Sequence, residues 1–409
     1  MPRCRWALRI IWLAFLLRGG FYCQLIPLWE GYDEWGHYAF VEHLRLHHGS
    51  LPRTSDGVSE EIHQSVESAF IKHEAAEPLK LFEAQQPPLY YWVLSVPNRI
   101  WIGAPISTRV RRLRMFSILI ASLAIPFAYL AAFELFYSRR IALSVCALIA
   151  VMPELMIDVA RIGNESLAIA IASWLIWLLL RKQAPALGLA LGLGLLTKAY
   201  FLAFIPILIL RRRFYSLAFA LGISGWWYWR NFRSTGTLTG EIMDVAARHL
   251  SWSTKLAAFG KVHWLSAIDT ALWTHIWSGA WSFFTVKSWM YRVFEVIYAM
   301  VLIMVIYALL KRPIGRFKVK LGLLLSLEAL FIAGISYQTV TIYLSKGISF
   351  APGWYFYALI VAEALLLATG MLILAGRKRV LLAMGFLIGL FAALDVYSAI
   401  FVLARHYKH

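Results

Sequence analysis

Asp33 and Glu34 are adjacent carboxylates at the point where the first long apolar segment of the chain ends. A charged pair at the mouth of a membrane span is unfavourable unless it has a task. Asp33 could be the general base that takes a proton from an acceptor hydroxyl or amine, with Glu34 in support. The alternative is a pair that only stabilises the start of a helix through its dipole. His37 lies one helical turn after Asp33, where it could relay a proton, share a metal ion, contact substrate or simply lie at the membrane interface.

Several cations are placed to hold a phosphate group, namely Arg112, Arg161, Lys198 and Arg230. The planar fork of arginine pairs well with phosphate oxygens. Each position also has a simpler interpretation. Arg112 belongs to a basic cluster that could contact lipid headgroups, and Lys198 could extend to the headgroup layer from the end of a span.

Uncharged and acidic residues accompany these cations. Asp158, Asn164 and Glu165 flank Arg161 at the turn between two apolar runs, where they could hold the arginine, contact sugar hydroxyls or form an ordinary solvated turn. Asn231 follows Arg230 and is a candidate ligand contact. Aromatic residues open two apolar runs, and they could stack on a sugar or an isoprenoid or form only a membrane-interface belt. They are Tyr90, Trp354 and Tyr355.

The composition predicts an all-α polytopic membrane protein that forms a single domain over residues 1–409. The chain is 60% hydrophobic, and apolar runs of about 20 residues recur along it. The net charge of +18 comes mostly from short clusters between these runs, so we expect contact with membrane lipids and no nucleic-acid binding. The three cysteines are far apart in sequence and suggest neither a disulfide framework nor a metal site.

The apolar runs predict about 11 transmembrane helices. They lie at 7–27, 115–136, 141–160, 166–180, 184–197, 199–210, 214–229, 289–310, 321–343, 354–375 and 380–403. Five basic clusters fall on one side of the membrane only if the short apolar stretch 88–104 does not cross it. We therefore expect 88–104 to be interfacial or re-entrant, the N-terminus to be cytoplasmic, and two outer loops at 28–113 and 230–288. A spanning 88–104 would instead place Arg109 to Arg114 inside and most other clusters outside.

The order of the motifs resembles that of the GT-C superfamily of polyprenyl-phosphate-dependent glycosyltransferases. The chain is most similar to the protein O-mannosyltransferase and lipid A aminoarabinose transferase group and their bacterial relatives. The similarity covers residues 1–235 well and the remainder weakly, and Gln86 stands where relatives often carry histidine. The motifs are Asp33-Glu34, Gln86-Pro87-Pro88-Leu89-Tyr90-Tyr91, Arg112 to Ser117, Arg161 to Glu165, Leu195 to Lys198 and Trp227 to Asn231.

The resemblance implies a GT-C fold, a lipid-linked sugar donor that enters from the bilayer and an acceptor that enters from outside. By position, Asp33 resembles the first-loop acid that acts as base or orients the acceptor, with Glu34 in support. Arg161 and Lys198 match positions near the donor phosphate. Gln86 takes the place of a substrate-contacting histidine.

These observations favour an inverting glycosyltransferase at the outer face of the cytoplasmic membrane, acting on a lipid, glycan or protein acceptor. Arg161, Lys198 and Arg230 would hold the departing phosphate. Mg²⁺ or Mn²⁺ held by Asp33 and Glu34 is a candidate cofactor. Two alternatives are a lipid-linked glycan transporter or flippase, which the lack of a clear internal repeat disfavours, and a non-catalytic assembly subunit.

Overall fold

The computed structural model describes residues 2–69, 79–181, 184–311 and 315–407. Residues 70–78 of the first outer loop, together with Lys182 and Arg312 of two basic clusters, lie outside these ranges. The described residues are almost entirely helical, and the extended pairing among them is a single bridge between Gly57 and Lys80. This agrees with the all-α class predicted from composition.

Nineteen α-helices are defined within the described ranges. The first ten are α1 Pro2–Leu25, α2 Glu34–Leu46, α3 Glu60–Glu67, α4 Leu89–Asn98, α5 Ile106–Ala121, α6 Ala124–Phe136, α7 Arg139–Val151, α8 Pro153–Val159, α9 Glu165–Arg181 and α10 Ala184–Leu195. The others are α11 Ile205–Leu210, α12 Phe214–Thr235, α13 Ile242–Ala246, α14 Trp252–Lys261, α15 Trp264–Ile276, α16 Ser288–Lys311, α17 Arg316–Lys346, α18 Ile360–Tyr397 and α19 Ala404–His406.

Several of these helices are long enough to cross a bilayer. Among the described residues, five helical stretches are long and apolar enough to cross a membrane. The pair α7 and α8, which is bent by 64°, is a sixth candidate. The five are Cys4–Leu25, Ile106–Phe136, Ser288–Lys311, Arg316–Lys346 and Gly353–His406. The chain is therefore a multi-pass membrane protein, while the expected number of 11 spans stays a prediction.

The last of these stretches is too long for one crossing. Its 54 residues would extend about 80 Å as a helix, whereas the hydrocarbon core is about 30 Å thick. Gly376 interrupts it with φ 69° and ψ 168°, a conformation open to glycine but not to residues with a Cβ atom. The basic residues Arg377 to Arg379 follow directly, so this break lies where the sequence predicts a turn between two spans.

α4 supports the expectation that 88–104 does not cross the membrane. It has ten residues, about 15 Å of helix, which is half of what a crossing requires. The Leu89 amide at its start donates to the carbonyl of Leu196 at 2.9 Å. This bond holds the beginning of α4 beside the turn that carries Lys198.

Small residues allow the spans to approach each other closely. A Cβ atom on Gly188 would lie 2.6 Å from the carbonyl oxygen of Ser216, and one on Gly192 would lie 2.9 Å from the Cβ of Ile223. Such contacts between α10 and α12 stabilise helix pairs inside lipid, where the hydrophobic effect between helices is absent. They fix the end of α10 and hence the turn at Thr197 and Lys198.

The first and last spans are joined by polar contacts at two levels. Within the membrane, Arg18 donates to Asp395 at 2.7 and 2.6 Å, and the hydroxyl of Tyr22 donates to the same carboxylate at 2.6 Å. Just beyond the end of the first span, three positions before Asp33, Glu30 accepts a hydrogen bond from the hydroxyl of Tyr407 at 3.0 Å. The C-terminal end of the described chain therefore lies on the same side as Asp33, as the predicted topology requires.

Candidate active site

Asp33 caps α2 in an unusual backbone conformation. Its φ of 53° and ψ of 19° are left-handed, a region that aspartate tolerates better than most residues with a Cβ atom. The side chain is half-buried, whereas Glu34 beside it is buried. Left-handed residues held by their surroundings often occur at functional sites. The turn directs two adjacent carboxylates into different environments.

Glu34 does not have the open carboxylate expected of a catalytic residue. Both of its oxygens accept from Arg114, at 2.7 Å from Nε and 2.5 Å from Nη2. They also accept from the backbone amides of Ile162 at 3.0 Å and Trp29 at 3.2 Å. A carboxylate with four donors holds three segments together, so Glu34 positions the start of α2. Its predicted support of Asp33 in catalysis stays a prediction.

Arg161 and Lys198 lie in one buried chain of ion pairs. Arg161 donates to Asp158 at 2.8 Å and lies 2.9 Å from Glu165. Lys198 donates to the other oxygen of Glu165 and, at 3.0 Å, to Asn164. The structure thus connects Lys198 with the Asp158-to-Glu165 turn through direct contacts.

Gln86 connects this chain to the second outer loop. Its side-chain oxygen accepts from Asn164 at 3.2 Å, and its nitrogen donates to Glu241 at 3.0 Å. Asn164 also donates to the carbonyl of Thr197 at 3.2 Å. The side-chain amide of Gln86 therefore hydrogen-bonds a carboxylate and a carboxamide at the same time, which requires both a donor and an acceptor.

Glu83 and Glu241 are acidic site residues that our sequence reasoning missed. Glu83 lies in a short turn, Phe82–Gln85, and is 5% exposed. Its Oε2 is 3.9 Å from Nδ1 of His37, which bonds the hydroxyl of Tyr91 at 2.8 Å. The available signal was the proximity of Glu83 to the Gln86-Pro87-Pro88 motif. Glu241 follows a Thr-Gly turn in a loop that shows no catalytic pattern.

The charges in this cluster act on one another. Burial raises the pKa of Glu83 well above its usual value, and the neighbouring charges of Asp33 and Glu241 add to the rise. Burial lowers the pKa of His37 well below its usual value, and Arg161 and Lys198 lower it further, so this imidazole is neutral. Burial and the neighbouring Arg161 lower the pKa of Lys198 to about 8.

A cavity of about 360 Å³ adjoins the ion-pair chain. Its apolar walls come from the turn Ala199–Phe204 and from α17. Its polar end carries Lys198, Glu241 and Tyr355, and the ring of Tyr355 lies 4.7 Å from Nζ of Lys198. The main lining residues are Lys198, Ala199, Leu202, Ala203, Glu241, Leu330, Phe331, Gly334, Gln338 and Tyr355. The shape suits a ligand with one charged end and an apolar chain.

Buried polar atoms without a hydrogen-bond partner in the described residues mark the same region. They include Oε2 of Glu83, Oε1 of Gln85, Oδ2 of Asp158 and Nε of Arg161. Such atoms are rare in native proteins because leaving them unpaired is unfavourable. Those near the ion-pair chain are expected where a ligand supplies the missing partners.

Two of the predicted phosphate-binding residues, Arg112 and Arg230, lie away from this cavity. Arg112 is exposed and rests over the ring of Trp101 at 5.3 Å, about 200° around α5 from Arg114. Arg230 donates to the carbonyl of Pro52 at 2.9 Å and covers the ring of Trp227. Neither arginine faces the cavity of Lys198.

Three further predicted residues support the site without lining the cavity. Tyr90 accepts from the amide of Gly163 at 2.9 Å and so fixes the turn after Arg161. Asn231 donates to the carbonyl of Thr239 at 2.9 Å, which orients the segment carrying Glu241. Trp354 stacks on Tyr32 with ring centroids 4.4 Å apart, while its neighbour Tyr355 is the aromatic residue that reaches the cavity.

Asp33 and Glu34 are the residues predicted to hold a divalent cation, and both oxygens of Glu34 accept hydrogen bonds from Arg114. The described residues contain no group of three or more histidine, cysteine, aspartate or glutamate side chains arranged to hold a metal. Mg²⁺ or Mn²⁺ dependence stays a prediction, and the chemistry below does not use it.

Solved structures share the fold of this chain, as the motif order predicted. Two solved structures of ArnT from Cupriavidus metallidurans carry this likeness, each with a TM-score of 0.53 and 14% identity. The alignment with the apo structure covers 99% of this chain and 77% of the ArnT chain. The alignment with the structure bound to undecaprenyl phosphate covers 96% of this chain and 77% of the ArnT chain. An oligosaccharyltransferase from Archaeoglobus fulgidus aligns with 97% of this chain and 55% of its own, at 14% identity and a TM-score of 0.49. No protein-family model and no curated protein sequence matches the chain.

Proposed function

We propose that this chain is a membrane glycosyltransferase that moves a sugar from a polyprenyl-phosphate donor to an acceptor. The observation that carries the proposal is the position of Lys198. This residue is a buried cation at the polar end of an otherwise largely apolar cavity, which it shares with Glu241. A cation inside a membrane protein is unfavourable unless it serves a ligand or a partner. Its partners here, Glu165 and Asn164, hold it at the cavity wall.

The cavity fits a polyprenyl phosphate in two respects. Leu202, Leu330 and Phe331 offer apolar contact to an isoprenoid chain, and Lys198 offers its ammonium group to the phosphate. ArnT, which has the same fold, has been solved with undecaprenyl phosphate. Arg161 lies behind Lys198 and is 1% exposed, so its role is to hold Asp158 and Glu165 in place and to add positive potential.

Asp33 is proposed as the general base. It takes the proton of the acceptor hydroxyl or amine while the acceptor oxygen or nitrogen attacks the anomeric carbon. The bond between that carbon and the phosphate oxygen breaks, and its electron pair leaves with the polyprenyl phosphate. Lys198 stabilises the charge that develops on this oxygen. A single displacement of this kind inverts the anomeric configuration.

We place the reaction at the outer face of the cytoplasmic membrane. Asp33, the ion-pair chain and Glu241 belong to segments that the positive-inside rule assigns to that side. A donor enters laterally from the bilayer, and a lipid, glycan or protein acceptor reaches Asp33 from outside. Anionic lipids contact the basic clusters on the opposite face.

The test is incubation of the purified protein with a panel of polyprenyl-phosphate sugars and a mixture of envelope lipids and glycans as acceptors. Release of polyprenyl phosphate that depends on Asp33 supports the proposal. Donor binding with no release under any acceptor condition, together with movement of the lipid-linked sugar across proteoliposomes, would instead identify a transporter.

A further inference from the structure

The turn Phe82–Gln85 carries two buried polar side chains, Glu83 and Gln85, and Glu83 lies near His37, Asp33 and Glu241. The turn packs on α2 at Gly36, where a Cβ atom would lie 2.6 Å from the ring of Phe82 and 3.1 Å from Cγ of Glu83. On the other side the turn continues into Pro87 and Pro88, which restrict its backbone. Glu83 is thus held rigidly in a position that no predicted catalytic or phosphate-binding role explains.

Both polar side chains of this turn have acceptor atoms without a partner. Oε2 of Glu83 and Oε1 of Gln85 lack a hydrogen-bond donor within the part of the chain that the structure describes, and the residues are 5% and 6% exposed. Oδ2 of Asp158 also lacks a hydrogen-bond donor among the described residues. Buried acceptors near a site can be satisfied by a ligand with O–H or N–H donors. Several donors on one small ligand are typical of the hydroxyl groups of a sugar.

The charges around this turn argue against an acidic ligand. Asp33, Glu83 and Glu241 lie close enough to influence one another, and Asp158 and Glu165 are near them. Arg161 and Lys198 form ion pairs with Asp158 and Glu165, so part of their positive charge is already neutralised. An additional carboxylate would be repelled in this buried environment, whereas a neutral hydroxyl would not.

We propose that Glu83 and Gln85 form the subsite for the hydroxyl groups of the transferred sugar, and that this subsite selects an uncharged polyhydroxylated sugar over an acidic one. The inference rests on the proposed glycosyltransferase function and specifies its substrate class. Glu83 is a specificity-determining residue in this scheme, and Asp33 remains the base.

Binding to the purified full-length protein in detergent tests the proposal. The probes are undecaprenyl phosphate alone and the same lipid linked to glucose, galactose, glucuronate or galacturonate. We expect at least one neutral sugar to increase affinity over the bare lipid by about tenfold or more, as one or two hydrogen bonds would. The matching acidic sugar should give no increase. Acidic sugars that bind as tightly as their neutral counterparts would overturn the selectivity.

Variants separate the role of Glu83 from a structural one. Glu83→Ala should abolish the gain in affinity from the sugar, while Glu83→Gln, which keeps the shape and an acceptor oxygen, should retain most of it. Glu67→Ala, an exposed change in the same loop, should change nothing. An undiminished gain in Glu83→Ala overturns the assignment, and so does a loss confined to turnover at saturating donor, which would place Glu83 at the acceptor. If Glu83 variants do not fold, the comparison of neutral and acidic sugars on the wild type decides.

The two proposals fail differently. No binding of undecaprenyl phosphate by the wild type would contradict the proposed function itself. Binding of the bare lipid with no gain from any neutral sugar would contradict only the sugar subsite.

Discussion

Arg114 uses all five of its N–H groups, and two of them bind Glu34. The remaining donors bind the carbonyls of Cys23, Ile26 and Pro27 at 3.3, 2.7 and 2.8 Å, at the end of α1. A cation at this end also complements the helix dipole. The pair therefore connects the first span to α2 and α5, and Asp33 depends on it for its position.

Glu34→Gln should destabilise the protein strongly, because it leaves the buried Arg114 charge without its counter-ion. Breaking a buried pair costs about 3–5 kcal/mol, whereas replacing both partners with apolar residues costs less. Thermal unfolding in detergent should show a large decrease for Glu34→Gln and for Arg114→Met, and partial recovery in Glu34→Leu with Arg114→Met. Additive losses in the double variant would contradict the pairing.

Asp33→Asn should lower sugar transfer by about 10²–10⁴-fold, the usual contribution of a positioned base. Asparagine keeps the size of the side chain and tolerates the left-handed backbone, so the melting temperature should change little. Donor affinity should stay near the wild-type value. The measurement is initial rate at saturating donor on protein of matched stability. Transfer close to the wild-type rate would exclude Asp33 as the base.

Lys198→Met should weaken binding of undecaprenyl phosphate by about 10- to 100-fold, the effect of losing a charged hydrogen bond. Arg112→Ala provides a matched control, because Arg112 is exposed and packs on Trp101 away from the cavity. It should bind the lipid as the wild type does. Equal losses in the two variants would indicate a general effect of charge on lipid binding and not a site at Lys198.

Donor affinity should depend on pH through Lys198. The phosphate binds the protonated amine, and the pKa of Lys198 before binding is lowered to about 8. Affinity should therefore be constant below about pH 7 and decrease by up to about tenfold per pH unit as pH rises through 8. Lys198→Arg, which stays protonated, should lose this dependence between pH 7 and 9.5. A wild-type affinity that rises with pH would contradict the assignment.

Single cysteines in a background without the three native ones should report the topology. Gly103 is exposed, and a side chain there meets no atom within 4 Å, so Gly103→Cys should react with an impermeant maleimide added outside. Lys378→Cys, in the exposed basic break of α18, should react only after the membrane is opened. The reverse pattern would place the candidate active site in the cytoplasm.

Hydropathy and charge predict the all-α class and the multi-pass character of this protein, because the bilayer restricts the folds that can span it. Asp33, Arg161 and Lys198 are recognisable because they lie at the ends of apolar runs but outside the basic clusters. The partners of Arg109 and Arg114 were not predictable, because the sequence does not show that Glu42, Glu61 and Glu34 neutralise them. In the predicted orientation, these pairs neutralise two arginines of a basic cluster on the side that the positive-inside rule disfavours.

Glu83 shows a second limit. Only its proximity to the Gln86-Pro87-Pro88 motif separates it from the other acids of the first outer loop, and its burial depends on a contact with Gly36 of α2. Glu241 is brought to the site by a bond to Gln86 that spans 155 positions. Long-range contacts of this kind are set by tertiary packing and not by periodicity.

The contacts between the first and last spans also impose an order on synthesis. Arg18 and Glu30 each lie 377 positions before a partner, Asp395 and Tyr407 respectively. At roughly 5–20 residues per second, the ribosome needs on the order of 20–75 s to deliver those partners. During that interval, Arg18 is in the bilayer without Asp395, and the nascent protein depends on water, lipid headgroups or the insertion machinery to accommodate its charge.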